Sequence, residues 1–176
     1  MSDLRRYYWD SSVFCSFLNE EENRWKTVED LLKEGRAGRI DIVTSSFSVV
    51  EVLKLKGHKP ITEKLEEQIT TFFEYPFIKM VDADRNICEH ARRYVWRHGL
   101  KPKDAVHVAT ADIASKVAPI HEVFSWDDDF LKLNGKSEIK FPVVRTYLQQ
   151  QLLNLEDASD SPATSDVPPK SDQGPE

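Results

Sequence analysis

The sequence predicts an α/β fold in which a central, mostly parallel β-sheet is flanked by helices. Two patterns carry this prediction: short apolar runs alternate along the chain with longer segments of helical periodicity, and glycine or proline residues separate many of them. A third observation points to a site, because four acidic residues lie within apolar stretches at the boundaries of these elements. Strands that alternate with helices favour parallel pairing, with helices covering both faces of the sheet.

The first half of the chain supplies two strands and four helices in this prediction. Apolar runs indicate strands at residues 5–10 and 39–44, and helical patterns cover residues 11–18, 22–33, 46–56 and 61–73. Gly35, Gly57 and Pro76 are the expected stop signals after the last three of these helices. Ser11 and Ser12 are expected to cap the first helix.

The second half continues the alternation. Strands are expected at residues 77–81 and 123–126, with an edge strand at 143–146, and helices at residues 84–98, 102–117, 127–133 and 147–155. Gly99 and Gly135 follow two of these helices, and Pro102 stands in the first turn of another, where proline is favoured.

Length and charge divide the chain into one domain and a tail. Residues 1–155 suit a single compact domain, whereas residues 156–176 are acidic and rich in proline and serine, so we expect this tail to be disordered. The tail holds six acidic residues and one lysine, which leaves 23 basic and 24 acidic residues in the domain. A nearly neutral domain can accept a polyanionic substrate, but it does not rely on bulk charge to bind one.

The cysteines and the hydropathy pattern indicate a compartment. Cys15 and Cys88 have no partner spacing that would suggest a zinc site or a disulfide framework, so a reducing cytoplasm is expected. The N-terminus lacks the pattern of a secretory signal, and no apolar stretch approaches the roughly 20 residues of a membrane helix.

Four carboxylates predict a metal site. Asp10 closes an apolar run, Glu51 interrupts one, Asp104 opens a helical one and Asp127 follows a strand-like one. Because an unpaired buried carboxylate is costly, we expect these four to gather around cations at the carboxyl ends of the strands. Oxygen ligands without histidine or cysteine suit Mg²⁺ or Mn²⁺ better than zinc.

These four segments, in this order, resemble the acidic motifs of the PIN-domain nucleases. The matching segments are residues 8–12, 45–53, 104–111 and 125–130, and the third is the most specific. The sequence departs from the family pattern at Ser12, where asparagine is common, and at Trp126, where a basic residue is common. Length and layout are most similar to the VapC-like toxins of toxin–antitoxin pairs.

The resemblance implies a Mg²⁺- or Mn²⁺-dependent ribonuclease. Asp10, Glu51, Asp104 and Asp127 would be its catalytic and metal-binding residues. An RNA substrate, a small antitoxin protein and a homodimer are the implied partners, and no membrane partner is expected. Lys54 follows Glu51 by three residues, about one helical turn, and is the candidate contact to an RNA phosphate.

Two other functions are compatible with these residues. A phosphatase of the haloacid dehalogenase type also begins with an aspartate after a strand, but it needs a second aspartate two positions later, where this chain has Ser12. A catalytically silent PIN fold would serve as an RNA-binding or scaffold module, although retention of all four acids speaks against it. His107 is interpreted as a hydrogen-bonded structural histidine, not a catalyst.

Overall fold

A five-stranded parallel sheet forms the centre of the computed structural model, which describes residues 4–21, 24–52, 62–136, 140–141 and 143–144. Its strands are β1 (Arg5–Trp9), β2 (Ile40–Ser45), β3 (Ile78–Val81), β4 (Glu122–Phe124) and β5 (Val143–Val144). They are ordered β3-β2-β1-β4-β5, and every neighbouring pair is parallel. The predicted fold class is therefore confirmed, and β1 lies at the centre of the sheet.

Helices cover both faces of this sheet. Within the described residues they are α1 (Ser11–Leu18), α2 (Trp25–Arg36), α3 (Phe47–Glu51), α4 (Glu63–Phe73), α5 (Arg85–His98), α6 (Pro102–Val117) and α7 (Asp128–Leu131). Side chains alternate along β1, so Tyr7 and Trp9 pack into the core beneath α1, α2 and α4. Tyr8 packs into the opposite core, beneath α5 and α6. Burial on both faces is typical of a central parallel strand.

The second helix corrects one sequence interpretation. It was expected at residues 22–33 with Gly35 as its stop signal, but α2 runs to Arg36 and contains Gly35. A Cβ at this position would collide with the ring of Phe77, so the glycine permits a close packing contact and does not end the helix. The residue with left-handed backbone is Gly38, two positions after the end of α2.

The third helix is shorter than predicted. The pattern indicated residues 46–56, whereas α3 begins at Phe47 and ends at Glu51, with Val52 as its C-cap. Ser46 stays outside because its amide donates to the carbonyl of Val81 and its hydroxyl accepts from the amide of Ala83. Residues 53–61, which include Lys54, lie outside the described residues.

Two boundaries near the predicted site also differ. Asp10, not Ser11 or Ser12, is the N-cap of α1, because its carboxylate accepts hydrogen bonds from two backbone amides of the first turn. β4 ends at Phe124, before Ser125 and Trp126, because the amide of Trp126 donates to the hydroxyl of Ser12 and leaves the strand ladder.

The cysteines lie within the described residues, whereas the C-terminal segments do not. Both cysteines are free. No helix of the described ranges has the length and hydropathy needed to cross a membrane. The predicted helix at residues 147–155 and the predicted disordered tail at 156–176 fall outside the part of the chain that the structure describes.

Candidate active site

Asp10 lies directly after β1 and is held by the start of α1. Its Oδ1 accepts hydrogen bonds from the amides of Ser12 (3.0 Å) and Val13 (3.3 Å) and from the hydroxyl of Ser12. Its Oδ2 accepts a hydrogen bond from the hydroxyl of Ser125. The residue is only 3% exposed, so these donors replace lost water. Because a carboxylate offers about four lone-pair sites, Oδ2 retains one for a further partner.

Asp127 is connected to Asp10 through Ser125. β1 and β4 are parallel neighbours, so their carboxyl ends open at the same edge of the sheet. The Ser125 hydroxyl donates to Asp10 and accepts from the backbone amide of Asp127 at 3.0 Å. Asp127 in turn caps α7 by accepting from the amide of Asp129 at 2.8 Å. One buried hydroxyl thus links the two strand-end acids.

Glu51 ends α3 and is held by a buried chain of hydrogen bonds. Its Oε2 accepts from the hydroxyl of Ser11 at 2.7 Å and from Nε2 of His107 at 2.8 Å. The opposite ring nitrogen of His107, Nδ1, lies 2.8 Å from the hydroxyl of Tyr8. When Nε2 of the neutral ring donates to Glu51, Nδ1 accepts from Tyr8. The orientation of Glu51 is therefore set from the central strand, through α6.

Asp104 lies in the first turn of α6, close to Lys103. The ammonium nitrogen of Lys103 is 3.4 Å from Oδ1 of Asp104 and 3.6 Å from Oε1 of Glu51. The other oxygen of Asp104, Oδ2, is buried and has no hydrogen-bond partner among the described residues. Two of the four predicted acids are therefore brought together around one positive charge, with one oxygen left open.

The carboxylates differ in their ionisation. Burial raises the pKa of Asp10 and of Asp104. Burial also acts to raise the pKa of Glu51, but the hydrogen bonds from His107 and Ser11 outweigh it and bring that pKa to about 2. A cation near Asp10 and Asp104 would lower their raised pKa values by stabilising the charged forms.

The donor chemistry of this site fits a hard divalent cation. Within the residues that the structure describes, Oδ2 of Asp104 has no donor, and the other acids and hydroxyls of the site offer only oxygen ligands. Within the described residues, however, no three histidine, cysteine, aspartate or glutamate side chains are grouped closely enough to hold a metal ion. Lys103 supplies the positive charge between Glu51 and Asp104 in this conformation.

Comparison with known proteins shows the family of this chain. The family model for the PIN domain matches residues 7–136, from β1 to the turn after α7. This chain belongs to the PIN-domain family. Among curated proteins, a sequence search finds no match.

Solved structures share the PIN fold with this protein. The toxin VapC20 of Mycobacterium tuberculosis, described as cleaving the sarcin-ricin loop, is 16% identical with a TM-score of 0.53, covering 70% of this chain and 91% of that one. VapBC2 of Rickettsia felis, bound to a DNA fragment from its promoter, is 12% identical with a TM-score of 0.55, covering 78% and 98%. A toxin–antitoxin complex from Klebsiella pneumoniae is 16% identical with a TM-score of 0.51, covering 78% and 95%. At these identities the likeness concerns the fold.

The PIN fold places all four predicted acids near one edge of its sheet, but it also uses residues that sequence patterns had not singled out. Ser125 lies in the matched fourth segment, yet nothing in its sequence context shows that it bonds to Asp10. Lys103 directly precedes Asp104, but nothing in its sequence context shows that its ammonium also approaches Glu51. His107 is hydrogen-bonded and buried, as interpreted from the sequence, but its partner is the predicted site residue Glu51.

Proposed function

We propose that this PIN-domain protein is a divalent-metal-dependent endoribonuclease that cleaves RNA phosphodiester bonds as the toxin of a type II toxin–antitoxin pair. One observation carries the proposal: a carboxylate site at the strand-end edge contains a buried oxygen of Asp104 that has no hydrogen-bond partner in the described part of the chain. The four motif resemblances, the family match and the toxins of similar fold support the same activity.

The chain's own residues divide the work of such a site. We assign Asp104, through Oδ2, and Asp10, through its remaining lone pair, as the direct ligands of Mg²⁺ or Mn²⁺, with Asp127 completing the set directly or through water. A bound divalent cation supplies charge stabilisation at phosphate oxygens and lowers the pKa of water. Ser125 and the first turn of α1 keep Asp10 in place whether or not a cation is bound.

Glu51 has the properties of a residue that orients water or a ligand. Its lowered pKa keeps it ionised at neutral pH, so it accepts hydrogen bonds and does not act as an acid. His107 and Ser11 occupy Oε2, which leaves Oε1 directed at the charge of Lys103. Lys103 can neutralise a phosphate that approaches the same edge.

Partners and compartment belong to the same proposal. The VapBC2 and Klebsiella pneumoniae structures are complexes of toxins with antitoxins, which supports a small antitoxin partner here. A cytoplasmic location follows from a toxin that acts on cellular RNA. A homodimer and a phosphate contact by Lys54 remain predictions.

The test is cleavage of a mixed RNA pool by the purified protein. We expect cleavage with Mg²⁺ or Mn²⁺, none in excess EDTA, and recovery when either ion is restored. Asp104→Asn, purified in parallel, should lose at least about 100-fold in rate, the scale of losing one stabilising group in a transition state. It also controls for contaminating nucleases.

Two results would contradict the proposal. Full activity in EDTA would refute the metal requirement. RNA binding without cleavage at any metal concentration would favour the catalytically silent module. Sequencing of fragment ends after induced expression then identifies the RNA target, and coexpression with the product of a neighbouring small reading frame tests for the antitoxin.

A further inference from the structure

A basic cleft lies between the end of α5 and α7, beside the candidate active site. Its volume is about 330 Å³. Leu100 and Leu133, both buried, form its apolar lining. Its polar lining includes Arg97, Lys132, Lys136 and Asp129.

The charge of the basic cleft is positive. Among the described lining residues, Arg97, Lys132 and Lys136 carry positive charges and Asp129 supplies the one carboxylate. That carboxylate forms ion pairs with two lysines, since Lys132 lies 2.6 Å from its Oδ1 and Lys101 lies 3.3 Å from its Oδ2. Because the domain as a whole is nearly neutral, this concentration of positive charge is local and directional.

The basic cleft adjoins the four acids through two short connections. Asp129 lies in the first turn of α7, two residues after Asp127. Lys101 is the N-cap of α6, three residues before Asp104, and its ion pair with Asp129 joins the starts of both helices. A nucleic-acid strand that meets the acids at one phosphate can therefore place a neighbouring phosphate in the cleft.

Helix stabilisation accounts for only part of this arrangement. Arg97 stands in the last turn of α5, where a positive charge offsets the negative end of the helix dipole. Lys132 is the C-cap of α7 and Lys136 follows the turn after it, so the dipole of α5 does not explain their position. Basic residues from two separate parts of the chain therefore line one cavity, and the dipole of a single helix does not explain this.

We propose that the basic cleft binds the phosphodiester backbone of the RNA next to the scissile bond. This proposal rests on the proposed ribonuclease function and assigns it a substrate subsite. Among the described residues no phenylalanine, tyrosine or tryptophan lines the cleft, and the ring of His98 already stacks on the ring of Tyr94. The cleft therefore contacts phosphate and not the face of a base. Binding there is independent of sequence and raises affinity for any RNA strand that reaches the acids.

The experiment compares Lys132→Ala/Lys136→Ala with the control Lys33→Ala/Lys79→Ala, two exposed lysines on α2 and β3. All binding measurements use the full chain in an Asp104→Asn background, so that three fluorescent RNAs of unrelated sequence stay intact. We expect the cleft variant to bind all three RNAs about tenfold more weakly, and the slope of log affinity against log salt to flatten by about 0.7 per lost phosphate contact. The control variant should match the background protein.

Kinetics in the otherwise unchanged protein provide the second readout. Loss of a phosphate subsite weakens substrate binding, so we expect KM to rise while kcat stays unchanged. Unchanged affinity and salt slope in the cleft variant, with thermal melts showing an intact fold, would overturn the proposal. A loss confined to one RNA sequence would also overturn it, because backbone contacts are shared by all sequences.

The two proposals fail separately. If the protein cleaves RNA in a metal-dependent manner but the cleft variant binds normally, only the subsite is wrong. If the protein cleaves no RNA but the cleft variant still loses affinity uniformly, the cleft binds RNA backbone and the nuclease activity is wrong.

Discussion

Glu51 and Asp104 share Lys103 as a neighbour, yet their surroundings move their pKa values in opposite directions. Burial raises the pKa of Asp104, whose Oδ2 has no donor among the described residues. Glu51 receives two hydrogen bonds at one oxygen, and its pKa falls to about 2 despite its own burial. Charge on Asp104 therefore destabilises the metal-free fold, whereas charge on Glu51 stabilises it.

We predict that Asp104→Asn and Glu51→Gln change stability in opposite senses without metal. In EDTA at pH 7, Asp104→Asn should melt at or above the wild-type temperature, because it removes a charge that burial disfavours. Glu51→Gln should lose about 1–2 kcal/mol of unfolding free energy, since its hydrogen bonds to a charged group weaken. Thermal melts across a pH series measure both effects.

The pH dependence follows from the signs of the two shifts. The advantage of Asp104→Asn should disappear as the pH falls through the raised pKa of Asp104, because wild-type Asp104 is then protonated as well. The deficit of Glu51→Gln should shrink only as the pH falls from 4.5, its ordinary pKa, toward about 2. A Glu51→Gln protein as stable as wild type at pH 7 would contradict this account.

At the scale of elements, α6 supplies the residues that connect the acids to the core. Asp104 and His107 are three residues apart, so they lie on one face of the helix. That face is directed at β1 and α3, where His107 meets Tyr8 and Glu51. Pro102 in the first turn begins the helix two residues before Asp104, which fixes where this carboxylate enters the site.

The contact of α2 with Phe77 predicts that a glycine-to-alanine substitution within a helix lowers the unfolding free energy, the opposite of its usual effect. Replacing a helical glycine by alanine ordinarily stabilises a helix by about 1 kcal/mol. Gly35→Ala should instead destabilise the protein by about 1–3 kcal/mol, because the new Cβ collides with the Phe77 ring. Urea unfolding measures this change, with Lys33→Ala on the same helix as control. A stabilised Gly35→Ala protein would show that the ring moves aside at little cost.

At the scale of the whole molecule, the sequence predicts the layout better than the contacts. Alternating apolar runs and helical periods were sufficient for the parallel sheet, because strand and helix periods are local properties. Gly35 was misinterpreted as a stop signal because the ring of Phe77, which requires a glycine at this position, lies in a distant segment of the sequence. The four acids were visible from their apolar neighbours, whereas the Ser125 and His107 contacts depend on residues 115 and 56 positions away. No local pattern encodes such pairings.

The whole-molecule consequence of the proposed metal site is linkage between ion binding and folding. We predict that free Mn²⁺ at 100 times its Kd raises the unfolding free energy by about 2.7 kcal/mol. Asp104→Asn should abolish most of this gain. Lys103→Gln should bind Mn²⁺ more tightly, because it removes the ammonium that lies between Glu51 and Asp104. Calorimetric melts and direct Mn²⁺ titration provide the measurements.

Two outcomes would contradict this linkage. One is a melting temperature that does not respond to millimolar Mn²⁺. The other is equal Mn²⁺ affinity in Lys103→Gln and wild type, which would show that the lysine does not compete with the ion.

The central position of β1 has a consequence for the time course of synthesis. β1 is synthesised before β4, which pairs with it and brings Ser125 to Asp10 but lies more than 110 residues later in the chain. At about 5–20 residues per second, a nascent chain spends roughly 6–23 s with Asp10 already made and its partner still missing. The edge that carries the four acids thus cannot be complete until β4 and Ser125 have been synthesised, long after β1 itself.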